Sequence, residues 1–494
     1  MLAGTRVQVV SNRIVIIGGG IGGLALVLAL RGHGYQTMII ERDPEPPDIR
    51  PEHAFEQWRR AGVPQFRHAH MLLSRLQTII RDHYPDLLQQ LLDAGLELAK
   101  IEESMPIGVA EQLQPRPEDE DLRHLWGRRA TFEYVLYRYV EKLPDVSFRH
   151  RTQVTGLLSD LHEGEVAIRG VETLCEQERA QLMADVVVDA TGKRSRASEW
   201  LQELGVSTEV RGAESGFIYA CRHYRLQPGA EPPPRIGCGG NLDYIGYAAF
   251  FAEHGHYALT IGSPVDETEL TSAMNSIEGF ECITSQFPSV RVLQDTSEAT
   301  SKVLGAGRFT NCWRRYGTSG GNRLVGFFAV GDSHLETNPM YGRGCASAFV
   351  QAHVLADVLR TEQDPARRTA RYNAETFHLL NPFYEASLAT DHFYHARARQ
   401  RRGLPVPMGD RLVSYLYDAA FVPATHESPL VAREFVKLVQ MRKPSRIAVR
   451  TAAAWLILRA LLRTWMGRKV AAVSPPPDRS EFIARIRPQQ EKAS

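Results

Sequence analysis

Residues 13–43 constrain the fold more than any other stretch, reading RIVIIGGGIGGLALVLALRGHGYQTMIIERD. Val15, Ile16 and Ile17 form an unbroken apolar run that stops at Gly18, the pattern of a strand buried on both faces of a parallel sheet. Gly18, Gly20 and Gly23 follow at the spacing G-x-G-x-x-G, with Gly22 among them. Residues 24–30 have helical periodicity and strong helix formers, Gly32 and Gly34 stop the helix, and residues 36–40 read as a second strand. Glu41 stands at its tip, eighteen residues after Gly23. A plain glycine-rich loop is the alternative, but it leaves the helix, the second strand and the acid in register unexplained. Residues 14–30 carry no charge, yet five glycines and a length below ~20 residues argue against a bilayer span.

The pattern predicts a site for a dinucleotide. The first glycine permits the tight turn, the second lets a pyrophosphate approach the backbone, and the third lets helix and strand pack closely. A bound anion meets free N–H groups at the positive end of the helix dipole. Glu41, followed by Arg42, can accept both hydroxyls of an adenosine ribose and would repel a 2′-phosphate, so FAD or NAD suits the site better than NADP.

With 494 residues, the chain has length for two domains and a large core. Lys and Arg number 58 against 57 Asp and Glu, so no global field recruits nucleic acid. Six scattered cysteines without a C-x-x-C pair fit a reducing cytoplasm, and no signal-peptide organisation opens the sequence.

Further along, residues 44–64 read as an exposed loop leading into GVPQFRHAHMLL at 62–73. No other His, Cys or acidic cluster completes a metal site with His68 and His70, so no metal is expected, and Arg67 is read as facing a phosphate or a flavin edge. Helical spacing covers 76–98, and a charged loop covers 112–121. A helix at 127–140 opens with Arg128 and Arg129, which oppose its dipole at a cost of ~0.3–1 kcal/mol and hint at a nearby anion. Strands are expected near 146–150, 152–158 and 166–169, followed at 184–201 by a buried strand ending in Asp189, a turn through Gly192 and Ser195, and a helix.

Residues 205–318 change texture, with more Gly, Pro and aromatics, alternating runs at 244–251 and 256–261, and one helix over 267–277. That is the texture of an antiparallel second sheet able to build a substrate pocket. Residues 324–359 return to the first texture: a buried strand ends in Gly331 and Asp332, an irregular turn carries Asn338 and Pro339, and Gly342 and Gly344 precede a long helix with a bulk-free first turn. A flat ring could lie against that turn, where the dipole favours negative charge on a reduced flavin. Residues 367–402 read as a helix whose aromatics are core or pocket wall. Residues 446–470 are apolar and basic with two tryptophans, fitting either a packing helix with snorkelling arginines or a weak membrane-surface anchor, and the tail from 475 reads as mobile.

Residues 13–43, 62–73, 127–140, 184–205 and 313–359 together resemble the FAD-dependent monooxygenases of the para-hydroxybenzoate hydroxylase superfamily. RHAH, WRRY and NPMYGRGC are similar to the branch holding polyether and squalene-type epoxidases and flavin-dependent halogenases. The resemblance implies an α/β fold: a Rossmann-like FAD domain with a parallel sheet (1–204 and 319–365), an inserted antiparallel-sheet substrate domain (205–318), a C-terminal helical region (366–474) and a flexible tail (475–494). It implies that Gly18, Gly20, Gly22 and Gly23 bind the pyrophosphate, that Glu41 binds the ribose, and that Arg129 and Val154 lie near the cofactor and its adenine. Gly331 and Asp332 would hold the ribityl chain, and Pro339, Gly342 and Gly344 would line the isoalloxazine. The usual D-G motif reads Asp189-Ala190-Thr191-Gly192 here, which leaves the part of Asp189 open.

The activity so implied is NAD(P)H- and O2-dependent hydroxylation or epoxidation of a small apolar organic substrate through a flavin C4a-hydroperoxide, by a cytoplasmic, at most peripherally membrane-bound protein without an obligate protein partner. His334 and Glu336 are the nearest candidates for a catalytic acid or base. Halogenation, dehydrogenation of an isoprenoid and a non-enzymatic FAD scaffold are the alternatives. The halogenase signature G-W-x-W-x-I-P is absent, the comparable stretch at 255–264 reading GHYALTIGSP.

Overall fold

The computed structural model describes residues 12–318, 321–443, 451–467 and 477–490. A five-stranded parallel sheet holds it together, built from β1 (Asn12–Ile17), β2 (Tyr35–Ile40), β3 (Val146–Arg149), β4 (Val186–Asp189) and β5 (Phe327–Ala329) in the order β5-β4-β1-β2-β3. Val15 sits between Met38 and Val187, and Val187 continues the row to Phe327. Such strands are apolar on both faces because both are covered, one by helices and the other by Val154, Val166, Ile168 and Val171 of the strands that follow β3. The helix between β1 and β2, α1 (Ile21–Leu30), is buried at nine of its ten positions, which is why it reads as apolar all round.

Two helices complete the layer on one side, α2 (Arg129–Val140) and α3 (Gly344–Thr361), with α3 lying along α1. Between β3 and β4 the chain forms an antiparallel meander, Thr152–His162, Glu165–Cys175 and Glu178–Met183, onto which Arg323–Val325 adds in parallel. Val154 sits at the start of this meander, next to β2.

Within 205–318, Thr208–Glu214 and Thr310–Tyr316 pair in a separate sheet with Leu335–Glu336, while between them lies the expected antiparallel sheet, six strands centred on Phe217–Leu226 paired with His256–Pro264. Its side chains alternate: Ala220, Tyr224, Leu259 and Ile261 face a helical layer, whereas Phe217, Tyr219, Thr260 and Gly262 face a cavity. The single helix expected over 267–277 is two, Thr268–Ala273 and Ile277–Thr284, because the Ser276 hydroxyl accepts the Gly279 N–H at 3.0 Å and caps a new start.

The 37-residue helix α4 (Pro365–Arg401) crosses β5, and its Tyr372 hydroxyl donates to the Ala329 carbonyl at 2.7 Å. Instead of running on as a mobile tail, residues Arg479–Gln490 form a helix that buries Phe482, Ile483 and Ile486 among the helices of the second sheet. Those apolar positions recur at helical spacing behind a proline run that masks them in the composition. Of the segment 446–470, residues Thr451–Trp465 are a helix, and 446–450 and 468–470 lie outside the described residues. Among the described residues no helix is long and apolar enough to cross a membrane, and the six cysteines are free thiols.

Candidate cofactor and substrate site

A continuous cavity of about 1010 Å³ runs past the C-terminal ends of β1, β2, β4 and β5 and under the second sheet. Its first end is the β1–α1 turn. Gly18, at φ +105°, passes so close to the next strand that a Cβ there would lie 2.7 Å from the Ala190 carbonyl, and one on Gly23 would lie 2.1 Å from that of Gly18. A Cβ on Gly20 would meet nothing within 4 Å. Gly23 thus serves helix–strand packing behind the wall, while Gly18, Gly20 and Gly22 form the wall itself. No side chain caps α1 and no acid occupies its first turn, so its N-terminal N–H groups are left for an incoming anion.

Glu41 and Arg42 line the same end. The Glu41 carboxylate is held rigidly: Oε2 accepts the Gly19 N–H at 2.9 Å, Oε1 accepts the Asp43 N–H at 2.9 Å, and Arg60 donates to it at 2.8 Å. Arg60 also reaches Asp43 at 3.1 Å and Glu133 at 2.9 Å, and these four side chains are 9 % exposed or less. Burial would strip the guanidinium of its proton, but the three carboxylates hold its pKa above the ordinary arginine value.

Arg129 enters the cavity wall from the start of α2 and donates to Glu133 at 3.1 Å and to His70 Nε2 at 3.1 Å. The His68 carbonyl, 2.8 Å from His70 Nδ1, can only accept, so Nδ1 carries the proton and Nε2 is the bare acceptor. Burial and the Arg129 charge push the His70 pKa down to about 3. Arg128, the other residue that opposed the helix dipole, finds its anion within the protein, donating to Glu253 at 2.7 Å.

At the far end of the parallel sheet Gly331, Asp332, Glu336, Pro339, Gly342 and Gly344 line the cavity, with Cys345 and Ala348 on the first turns of α3. A buried knot fixes this turn. Asn311 and Asn338 both donate to Asp391 of α4, at 2.6 and 2.7 Å, and the Asn338 side chain accepts the Met340 N–H at 3.1 Å. Arg343 is tied to the Phe383 carbonyl at 2.7 Å. Burial raises the carboxyl pKa of Asp332, and burial together with the neighbouring Asp332 raises that of Glu336. Lys193, from the loop after β4, lines the wall as well.

Three residues expected at the site point elsewhere. Arg67 turns outward to the Glu56 carbonyl at 3.1 Å and lies over Phe55, while its neighbours His68 and His70 line the cavity. Asp189 is consumed by its own loop, accepting from the Thr191 N–H at 2.9 Å and from the Thr191 and Ser195 hydroxyls. It shapes the 190–196 wall without facing the cavity. His334 is buried behind the site, between the Arg314 carbonyl at 2.7 Å and Thr376 of α4 at 3.3 Å, which leaves Glu336 as the one of the two acid–base candidates on the wall. Arg60, Asp391 and Lys193 were not singled out from the sequence, because each acquires its neighbours only through the tertiary fold.

Burial lowers the pKa of His334 to about 4, against 6.5 for an unperturbed histidine. The folded state therefore keeps it neutral while the unfolded chain takes up a proton below about pH 6.5. Its contribution to stability is full above that pH and declines by ~1.4 kcal/mol per unit down to about pH 4. His334→Gln, which keeps the hydrogen bonds without the titration, is expected to flatten the fall of melting temperature over that window, and an unchanged slope would contradict this.

Residues 13–213 match the family described as FAD binding domain. The protein is an FAD-binding flavoprotein. Over 472 residues the flavoprotein is 24 % identical to Protein Rv3254 of Mycobacterium tuberculosis, covering 87 % of its own chain and 90 % of that relative. It is also 24 % identical to the kynurenine 3-monooxygenase of Salinispora arenicola over 428 residues, covering 83 % and 86 %. In three dimensions it superposes on the flavin-dependent brominase Bmp2 with a TM-score of 0.58 at 15 % identity, over 92 % of its own chain and 99 % of the brominase. The flavoprotein thus has the fold shared by flavin monooxygenases and halogenases, and the open space over Gly20, the uncapped α1 and the cavity volume accommodate FAD.

Proposed function

We propose that this flavoprotein is a monooxygenase that hydroxylates or epoxidises a small, largely apolar organic substrate. The continuity of the cavity carries this reading: the wall that begins at Gly20 and Glu41 passes the bulk-free start of α3 and ends in a chamber walled by Phe217, Tyr219, Phe250 and Phe309. A cofactor lying along the first part leaves its reactive end open to the second, apolar part.

In this reading Gly18, Gly20 and Gly22 receive the pyrophosphate, Glu41 and Arg42 the ribose, and Val154 lies beside the adenine. Arg129, with Gly331 and Asp332, lies along the ribityl chain, and Pro339, Gly342 and Gly344 line the ring. When bound, FAD supplies the redox chemistry, activating O2 after reduction by NAD(P)H. The protein supplies placement. The α3 N-terminus favours negative charge on the ring, the aromatic chamber keeps water out, and the Asn311–Asn338–Asp391 knot holds the Pro339 turn to one geometry. Glu336, whose carboxyl pKa is raised by burial and by the neighbouring Asp332, is the acid–base group best placed on the cavity wall.

Asp332→Ala is expected to weaken FAD retention about tenfold, ~1.4 kcal/mol, and unchanged affinity would remove Asp332 from the cofactor site. The reaction class is tested by mixing anaerobically reduced protein with O2 and following flavin absorbance, with and without candidate substrates. A kinetic phase distinct from both reduced and oxidised flavin is expected before the oxidised spectrum returns. Single-step reoxidation under all conditions, with turnover on an artificial acceptor, would overturn the reading in favour of a dehydrogenase, and bromide- or chloride-dependent products would overturn it in favour of a halogenase.

A further inference from the structure

The C-terminal helix Thr451–Trp465 is apolar on two sides, and the fold uses one of them. Leu456, Ile457 and Ala460 pack onto Ala424 and Val431, and the Thr464 hydroxyl donates to the Ala419 carbonyl at 2.8 Å. The opposite side carries Trp455, Leu458, Leu462 and Trp465 at spacings of three, four and three, one stripe of a helix. These side chains are 59, 51, 49 and 82 % exposed, and Met466 follows at 60 %. A stripe this apolar and this open is a binding surface in a soluble chain.

Charge identifies what covers it. From 441 to 477 the sequence holds eight Lys or Arg and no Asp or Glu, although the whole chain has a net charge of only +1. Arg459 lies on the exposed side of the helix, over the Trp455 ring at 5.7 Å. Arg463 is paired with Glu427 at 2.7 Å and Arg442 with Asp121 at 2.9 Å, so the remaining cations of the window carry its charge. Tryptophan near both ends of an apolar stripe, with that cationic excess, suits the headgroup level of an anionic bilayer. A partner protein with an acidic groove would match the charge, but it would not call for tryptophan at both ends of the stripe.

We propose that this helix docks the protein on the surface of anionic lipid membranes. The neighbouring helix Met408–Leu416 contributes a second apolar edge through Met408, Leu412 and Leu416, which are 77, 57 and 40 % exposed. It runs directly into residues 417–421, against which the docking helix packs, and Tyr417 lines the cavity together with Tyr394 of α4. The docking helix thus packs on the segment whose Tyr417 lines the cavity. The docking itself does not depend on which reaction the flavin performs.

The test is co-sedimentation of the full-length, FAD-loaded protein with vesicles of phosphatidylcholine containing about 30 % phosphatidylglycerol, against phosphatidylcholine alone. The protein is expected to pellet with the anionic vesicles and to be released by high salt. Replacing Trp455 and Trp465 by Glu is expected to lower the partition coefficient at least about tenfold, and Arg459→Glu to lower it less, while flavin absorbance and melting temperature stay as in the parent protein. No sedimentation of the intact protein, or equal binding by the tryptophan double variant, would overturn the proposal. Sedimentation velocity showing a dimer that Trp455→Glu dissociates would assign the surface to a second copy of this chain instead.

Discussion

Gly20→Val is expected to give a folded but colourless protein. The three glycines of the G-x-G-x-x-G spacing differ in what surrounds them: a side chain at Gly18 or Gly23 would strike backbone at 2.7 or 2.1 Å, whereas one at Gly20 would project into open space. Gly20 has φ −83° and ψ −175°, which any residue adopts, so valine brings no backbone strain there. Exchanging glycine for valine at an N-cap costs about 1 kcal/mol of helix stability at most. What valine takes is the space in front of the free N–H groups of α1, where the pyrophosphate of FAD would lie. The expected measurement pairs a melting temperature within a few degrees of the parent with loss of the flavin absorbance after purification. A variant that keeps stoichiometric FAD would remove the turn from the cofactor site, and Gly23→Val, which should fail to fold, marks the contrast.

Arg60→Met is expected to destabilise the fold strongly. The substitution roughly keeps the volume and removes the one cation shared by Glu41, Asp43 and Glu133. Among the described residues, the three buried carboxylates would then keep one ion pair, that of Glu133 with Arg129. Removing one partner of a buried ion pair costs ~3–5 kcal/mol because the remaining charge stays desolvated. Denaturant titration of the two proteins at neutral pH measures the loss, and a value below about 1 kcal/mol would show that the cluster is held by other contacts.

The parallel sheet and its turns were legible because the information is local. β1, α1 and β2 follow from hydrophobic period and glycine spacing within thirty-one residues, and the same grammar recurs at Asp189 and Asp332. Contacts across the fold were not legible. Glu41 was readable as an acid at a strand tip, but not that Arg60, nineteen residues on, would grip it. At 67–70 the error is one of direction: on an irregular loop no period tells which side chains face inward, and the structure turns His68 and His70 in and Arg67 out. His334 and Glu336 sit two residues apart on either side of Leu335, yet one is sealed behind α4 and the other faces the cavity. α4 comes from a distant part of the chain, so nothing near His334 announces it.

The ion pair between Arg128 and Glu253 sets how this molecule can open. Arg128 immediately precedes α2, on the nucleotide side, and Glu253 lies in the hairpin between the second-sheet strands Gly246–Phe251 and His256–Pro264. The carboxylate accepts the Arg128 backbone N–H at 2.9 Å, its guanidinium at 2.7 Å and the Thr131 hydroxyl, and both charged side chains are at most 4 % exposed. A hinge between the two sheets would have to break that bolt in the dry. Roof and floor of the chamber are therefore expected to keep a fixed gap through turnover, so that reach from cofactor to ligand is built in rather than set by closure.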